Sequence, residues 1–352
     1  MTLALDATQS TGRNISGVGV YCREILRGLA SGHPDTPFLW CSRTNRLRQL
    51  FAEARPANAS VRPLFESFQI FGADLFHGLN QRLPASRFRH TVCTFHDLFV
   101  MTSEYSTAEF RTRFTEQARL AATRADLIIC VSQFTADQVH DLLGVEHSRL
   151  RVIPHGTRFP ADRGLVTGDD AREPMILHTG AIQHRKNLVR LVAAFEAAAP
   201  APWRLVLAGS DGFGAAEIHA RIAASPARAR IETPGYVADS ELSRLYRRAS
   251  LFVFPSLGEG FGIPVLEAMA HDIPVLSSNS SALPEACGDA ALLIDPMDEE
   301  ALTCSLRLLI ENGELRDRLI RSGKARAAQF TWERAVASTW DVYEEILRPS
   351  RR

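Results

Sequence analysis

The sequence predicts an α/β protein built as two doubly wound, Rossmann-like domains. Three observations carry this. Short apolar runs alternate with amphipathic stretches along nearly the whole chain. The runs are continuously apolar, as strands of a parallel sheet covered on both faces are. The pattern breaks between Arg158 and Pro174, where charges and Gly/Pro-type breaks gather, and then restarts. A chain of 352 residues is also too long for one ordinary core. We therefore expect domains at 1–165 and 172–330, and a terminal segment at 331–352. In this layout a ligand lies where the strands' carboxyl ends face each other across a cleft.

The elements follow in order. Leu3–Leu5 reads as a strand and Gly17–Ala30 as a helix, with Val20, Ile25, Leu26 and Leu29 near one face. Strands are expected at Asp74–Phe76, Thr91–Phe95, Leu127–Val131 and Leu150–Pro154, with helices at Ala108–Ala125 and Phe134–Leu143. Beyond the break, strands are expected at Met175–His178, Trp203–Ala208, Ile231–Thr233, Leu251–Phe254 and Ile273–Ser277. Helices are expected at Asn187–Ala199, Ser240–Ala249 and Val265–His271, and alanine-rich helices fill most of the rest. The last, Thr331–Leu347, carries Trp332, Trp340 and Tyr343 as apolar anchors.

Composition narrows the function. Forty basic and forty acidic side chains give a formal net charge of +0, which argues against a dedicated nucleic-acid binder. Lysine occurs only at Lys186 and Lys324. The six cysteines stand singly, without a CxxC pair, which fits a reduced cytoplasmic interior. No signal peptide is read at the start, and no apolar run approaches the roughly 18 residues of a membrane span. Arginine clusters at Arg43–Arg48 and Arg82–Arg89 read as a solvated face. The alternative is peripheral contact with anionic lipid on the cytoplasmic face of the inner membrane, or with a lipid-diphosphate acceptor.

The chemistry concentrates in Pro255–Asp272, PSLGEGFGIPVLEAMAHD. This segment leaves an apolar strand and enters a helix. Its glycines, Gly258, Gly260 and Gly262, free the backbone to approach a ligand, and Pro264 suits the first helical turn. Loop amides and the helix N-terminus can then hold an anion such as a diphosphate. Glu259 in the loop and Glu267 in the helix are acceptor-only carboxylates suited to sugar or ribose hydroxyls. The plain alternative is a tight turn whose glutamates face water.

The run E-G-F-G-I-P-V-L-E-A-M-A resembles the signature of retaining glycosyltransferase family four, whose fold is GT-B. Gly180 to Leu188, with its basic pair, is similar to that family's strand–loop–helix. Gly235-Tyr236-Val237, Phe254-Pro255-Ser256 and His271 to Asn279 also match in order. In the first half, Gly17-Val18-Gly19, Phe76-His77, Thr94 to Asp97 and Val131 to Phe134 resemble the acceptor domain. The likeness covers almost the whole chain. It is nearest to the bacterial mannosyltransferase-like members of polysaccharide biosynthesis, which points to GDP-mannose.

The resemblance implies a transferase that moves a hexose from a nucleotide-diphosphate sugar to a saccharide or lipid-linked hydroxyl, with retention. Glu267 would bind ribose. Glu259 would bind the sugar ring, helped by the amides of Gly260, Phe261 and Gly262. Arg185 and Lys186 follow a strand and precede a helix, where cations oppose the dipole; a diphosphate would relieve that cost. Gly180 and Asp211 would lie near the nucleotide, and Val237 would touch the base through its backbone. Gly17 and Gly19 would approach the donor phosphates. His96, at a strand's carboxyl end, would meet the acceptor hydroxyl, unless it is a buried histidine tied to backbone. His77, Asn80 and Asp97 would line the acceptor pocket, and Ser132 reads as a helix cap. No Asp-x-Asp pair caps a strand, so no divalent metal and no cofactor are expected.

Three rivals remain. A nucleotide-sugar epimerase would share this architecture. A catalytically inactive partner subunit would keep the fold, although the glutamate and basic pairs are intact. An NAD oxidoreductase would use Gly17 and Gly19, but Cys22 stands where the dinucleotide fingerprint needs its third glycine.

Overall fold

The computed structural model describes residues 1–12, 15–66, 70–158 and 171–348. Most of the expected linker, with Asp169 and Asp170, lies outside the described residues. The chain forms two compact units. Met1–Gly156 and the segment from Thr331 make the first, and Thr157–Phe330 makes the second.

The first unit holds β1 (Leu3–Asp6), β2 (Phe38–Ser42), β3 (Ala59–Pro63), β4 (Leu75–Gly78), β5 (His90–Phe95), β6 (Leu127–Cys130) and β7 (Leu150–Val152). They form one sheet in the order β3-β2-β1-β4-β5-β6-β7. Every pairing is parallel. β1, β4 and β6 are buried along their whole length; β6 is apolar throughout, whereas β1 ends in Asp6 and β4 carries His77.

The second unit holds β8 (Glu173–Thr179), β9 (Arg204–Ala208), β10 (Ile231–Gly235), β11 (Ala249–Phe254), β12 (Val275–Ser278) and β13 (Leu292–Ile294). Their order is β10-β9-β8-β11-β12-β13, again all parallel. Both sheets therefore reverse their winding once, between β1 and β4 and between β8 and β11. Such a switch point opens a crevice at the carboxyl ends of the two strands.

Each sheet is faced by helices. The helix Gly17–Gly32 buries Val20, Ile25, Leu26 and Leu29 with Leu3 and Leu5 in one core. The last helix, Trp332–Leu347, packs on Gly17–Gly32 and adds Trp332 and Tyr343 to the same core. Trp340 lies only partly buried there, its ring stacked on His33 at 3.4 Å between centroids. In the second unit a core of Leu188, Leu191, Phe195, Leu205, Leu207 and Val253 supports β8, β9 and β11.

Local signals explain the helix starts. Ser132 Oγ accepts from Thr135 N at 3.0 Å, so its hydroxyl caps the helix Gln133–Leu143, a contact worth about 1 kcal/mol. Gly144 ends that helix in the left-handed region, as glycine does most readily. Arg43 is no part of a solvated face. It is largely buried and ion-paired with Asp6 at 2.7 Å, at the carboxyl end of β1. Five cysteines are buried, Cys304 is exposed, and all six are free thiols. Among the described residues no helix is long and apolar enough to cross a membrane.

Candidate active site

Two loops leave the carboxyl ends of β8 and β11, on either side of the second sheet's switch point. One runs through Gly180 to Asn187, and the other through Pro255 to Gly262. They are tied together: Leu257 N donates to Arg185 O at 2.8 Å, and Asn187 Nδ2 donates to Pro255 O at 3.1 Å. Gly262 starts the helix Ile263–Ala270 with φ 116°, and a Cβ there would lie 2.8 Å from Leu283 Cδ2. Only glycine fits that entry.

Glu259 sits in the second loop and is 8% exposed. Lys186 Nζ donates to its Oε1 at 2.6 Å, and Arg185 Nη1 donates to its Oε2 at 3.2 Å. Arg185 Nη1 also donates to Gly258 O. The basic pair therefore turns onto the loop of Glu259. Lys186 is 6% exposed, and its Nζ lies 4.6 Å from the centroid of the Phe254 ring. Burial by itself would raise the Glu259 pKa, but Arg185 and Lys186 overturn this and hold it at about 2. His178, wholly buried beside this group, is pushed down to about 3 by burial and then by Lys186, so it stays neutral.

A pH effect follows. The Glu259 pKa is depressed on folding, from an ordinary 4.5 to about 2. Its ion pairs therefore stabilise the folded state fully above about 4.5, and this contribution is lost as pH falls through about 2. Thermal unfolding of wild type and Glu259→Gln should show the widest gap in Tm near neutrality. That gap should narrow steadily between pH 4.5 and 2. A gap independent of pH would contradict the pairing.

Glu267 lies in the buried helix Ile263–Ala270 and is 0% exposed. Arg158 Nε donates to its Oε1 at 2.5 Å and Arg158 Nη2 to its Oε2 at 3.1 Å. The Tyr246 hydroxyl donates to Oε2 at 2.9 Å and meets Thr179 Oγ1 at 2.8 Å. Since Tyr246 donates to the carboxylate, Thr179 is the donor to Tyr246. Burial, then Glu267, raises the Tyr246 pKa well above its usual value, so the phenol keeps its proton. Neither glutamate of the loop–helix segment merely faces water.

The remaining residues of this unit divide. Gly180 sits at φ 132° beside Lys186. Asp211 is exposed and accepts from His219 Nε2 at 2.7 Å. Val237 is half-buried just beyond β10. Gly260 is buried in the loop. The Phe261 side chain is 5% exposed and meets the Phe330 ring edge-on, with centroids 5.6 Å apart. Its ring therefore belongs to the packing, and a donor could meet only its backbone.

In the first unit, Gly17 opens its helix, and a Cβ there would meet nothing within 4 Å among the described residues. A Cβ at Gly19 would lie 2.5 Å from Ile15 Cγ2 and 2.7 Å from Gln9 O. Gly19 is thus required by the chain's own close approach. His96 is 8% exposed, and its Nε2 donates to Leu79 O at 3.0 Å. That tautomer leaves the lone pair on Nδ1. Burial lowers its pKa, so His96 is neutral at pH 7. Asp97 is half-buried next to it, and Asn80 Oδ1 accepts from Arg82 N at 3.0 Å.

His77 requires a correction. It is 0% exposed, with Nδ1 on the Tyr343 hydroxyl at 2.6 Å and Nε2 on Thr94 Oγ1 at 2.8 Å. Thr94 Oγ1 in turn meets the Tyr21 hydroxyl at 2.9 Å. Both ring nitrogens serve this core chain, and burial holds the His77 pKa at about 3. His77 ties the last helix to the sheet and does not line a pocket. Sequence reasoning missed Arg158 and Tyr246 altogether, because no local pattern marks a partner of Glu267 from 109 or 21 residues away.

The chemical capacity is clear from this geometry. A carboxylate kept ionised can accept hydroxyl protons, and two cations beside it favour a ligand that brings negative charge. Among the described residues no group of three or more His, Cys, Asp or Glu is arranged to hold a metal ion.

Two family profiles match the chain. The one described as Glycosyltransferase Family 4 covers residues 15–158, and the one described as Glycosyl transferases group 1 covers residues 166–326. O-antigen chain mannosyltransferase B of Escherichia coli is 31% identical over 283 residues, 77% of this chain and 74% of that protein. The serotype-specific mannosyltransferase WbdA of Escherichia coli is 28% identical over 277 residues, 74% of this chain but only 34% of that protein. Among solved structures, sucrose-phosphate synthase from Thermosynechococcus elongatus superimposes with a TM-score of 0.82 at 20% identity, over 98% of each chain. HepE of Anabaena, solved with UDP and glucose, gives 0.73 at 20% identity over 99% of each chain. These two likenesses show the fold, which is of the GT-B type.

Proposed function

The chain belongs to the family 4 glycosyltransferases, and from that premise we propose that it transfers a hexose, mannose favoured, from a nucleotide-diphosphate sugar to a saccharide or lipid-linked hydroxyl. It is an enzyme, and its relatives include mannosyltransferases. The donor class, the retaining course, the acceptor, and a cytoplasmic site with peripheral membrane contact belong to the proposal.

The observation that carries it is the pairing of Glu259 with Lys186 and Arg185, where the sheet reverses. In this reading the ionised Glu259 accepts from hydroxyls of the sugar ring. The loop backbone from Gly260 to Gly262 and Gly180 adjoins the diphosphate. As the bond from sugar to diphosphate breaks, negative charge builds on the leaving oxygen. Arg185 and Lys186 stabilise that charge, an electrostatic task that grows towards the transition state. Glu267 takes the ribose hydroxyls, Val237 meets the base through its backbone, and Asp211 stands near the nucleotide. His96 Nδ1 accepts from the acceptor hydroxyl, with Asp97 and Asn80 beside it. No divalent metal enters this scheme, because the two cations and the loop amides serve the diphosphate.

A thermal-shift panel of GDP, UDP, ADP and TDP sugars, with and without magnesium, tests the donor. A ligand that binds only the folded chain raises Tm by mass action. One sugar nucleotide, expected to be GDP-mannose, should raise it equally with magnesium or with a chelator. No shift with any of the four would contradict the donor assignment, and a shift that needs magnesium would contradict its metal independence.

A further inference from the structure

Glu267, read above as the ribose carboxylate, is already occupied. Its two oxygens receive three hydrogen bonds, two from Arg158 and one from Tyr246. The Arg158 pair falls one on each oxygen, at 2.5 and 3.1 Å. A cis-diol presents the same two-pronged pattern, one O–H for each carboxylate oxygen. The guanidinium fork therefore fills the places that two ribose hydroxyls would take.

Burial shows which partner must move. The Glu267 side chain is 0% exposed and Tyr246 is fully buried, while the Arg158 side chain is 20% exposed. Arg158 is the open side of the group, so a ligand reaching the carboxylate meets it first. The guanidinium also has a second partner: Nη1 lies 3.3 Å from Asp239 Oδ1, on a side chain that is 60% exposed. Arg158 can release Glu267 and stay paired with Asp239. It is the second residue of the second unit, just after the chain passes from Gly156 to Thr157. Burial alone would lower its pKa, but the Glu267 charge more than reverses this, and Arg158 remains cationic.

We propose that Arg158 is a latch on the donor site: it competes with the nucleotide's 2′- and 3′-hydroxyls for Glu267 and moves to Asp239 when a ribonucleotide binds. The inference rests on the reading of Glu267 as the ribose carboxylate. Arg158 thereby lowers nucleotide affinity and sets how much of that affinity the ribose supplies. A binding-competent state populated in about one molecule in ten raises the apparent Kd about tenfold.

The test is equilibrium binding of GDP, UDP and ADP, continued with the tightest of them and its 2′,3′-dideoxy analogue. Arg158→Gln should tighten the ribonucleotide about tenfold and leave the dideoxy analogue unchanged, so that the ratio of the two Kd values widens. Arg158→Lys keeps a cation for Glu267 but loses the fork, and should shift the ratio less in the same direction. Should Arg158→Gln unfold, Arg158→Lys carries the test. A weaker ribonucleotide in these variants, or an unchanged ratio, overturns the latch. If neither wild type nor the variants distinguish ribose from dideoxyribose, Glu267 does not bind ribose, and both readings fall together. If wild type distinguishes them and the variants match it, only the latch falls.

Discussion

Lys186→Ala lowers kcat by about a hundred- to a thousandfold while Kd for the nucleotide sugar changes only several-fold. That is the size of the loss when one preorganised donor to a developing oxyanion is removed. The geometry supports a split in this direction. Lys186 Nζ donates to Glu259 Oε1 at 2.6 Å and is 6% exposed, so the protein's own packing and pairing hold it in place. Its ammonium gains most when the leaving diphosphate gains charge, which raises kcat more than affinity. Lys186→Arg should not restore the rate, because a planar fork cannot take the place of a compact ammonium packed against the Phe254 ring. Steady-state kinetics at saturating donor, alongside direct donor binding, separate the two parameters. A variant that loses affinity and keeps kcat would make Lys186 a binding residue only.

Glu267→Ala has a different signature. It should weaken the nucleotide between about tenfold and a hundredfold, the worth of one or two hydrogen bonds to a charged group. It should also lower stability. Alanine leaves Arg158 and the Tyr246 hydroxyl facing a gap in a group whose carboxylate is 0% exposed. Breaking a buried pair from one side costs about 3–5 kcal/mol, and partial exposure of Arg158 sets the lower end. At roughly 2–4 °C per kcal/mol for a unit of this size, Tm should fall by roughly 6–12 °C. Glu267→Gln keeps the volume and one acceptor, and should lose less stability than alanine. Unchanged affinity in both variants would remove Glu267 from the donor site.

Much of the fold was legible because parallel strands buried on both faces leave continuous apolar runs. Leu127–Cys130 and Leu251–Phe254 stand out against their helical neighbours for this reason. The stretch after the first helix was harder. Phe38–Ser42 and Ala59–Pro63 lie towards the far side of the first sheet, and β3 has a partner on one side only. Ala59–Pro63 mixes buried with half-buried and exposed positions and ends in proline, so no clean pattern marks it.

The site was legible in kind and not in pairing. Glycine spacing, a strand before and a helix after pointed to the loop of Glu259, and Lys186 stood out in a chain with two lysines. That these residues meet across 73 positions could be read only from the fold. His77 shows the limit most clearly. Its place at the end of a strand suits a pocket, but Tyr343, 266 residues away, takes one of its nitrogens and turns it inward. Arg158 escaped notice for a similar reason, because its meaning lies in Glu267, 109 residues on.

The most direct measurement of the central claim is transfer itself. Labelled hexose is followed from the sugar nucleotide selected by thermal shift to a saccharide or lipid-linked acceptor, in the presence of a chelator, by wild type and Lys186→Ala side by side. The account predicts a product of retained anomeric configuration from wild type, and a turnover lower by at least about a hundredfold from the variant. Equal turnover by the two proteins would contradict it, as would release of free sugar-nucleotide isomers with no labelled acceptor.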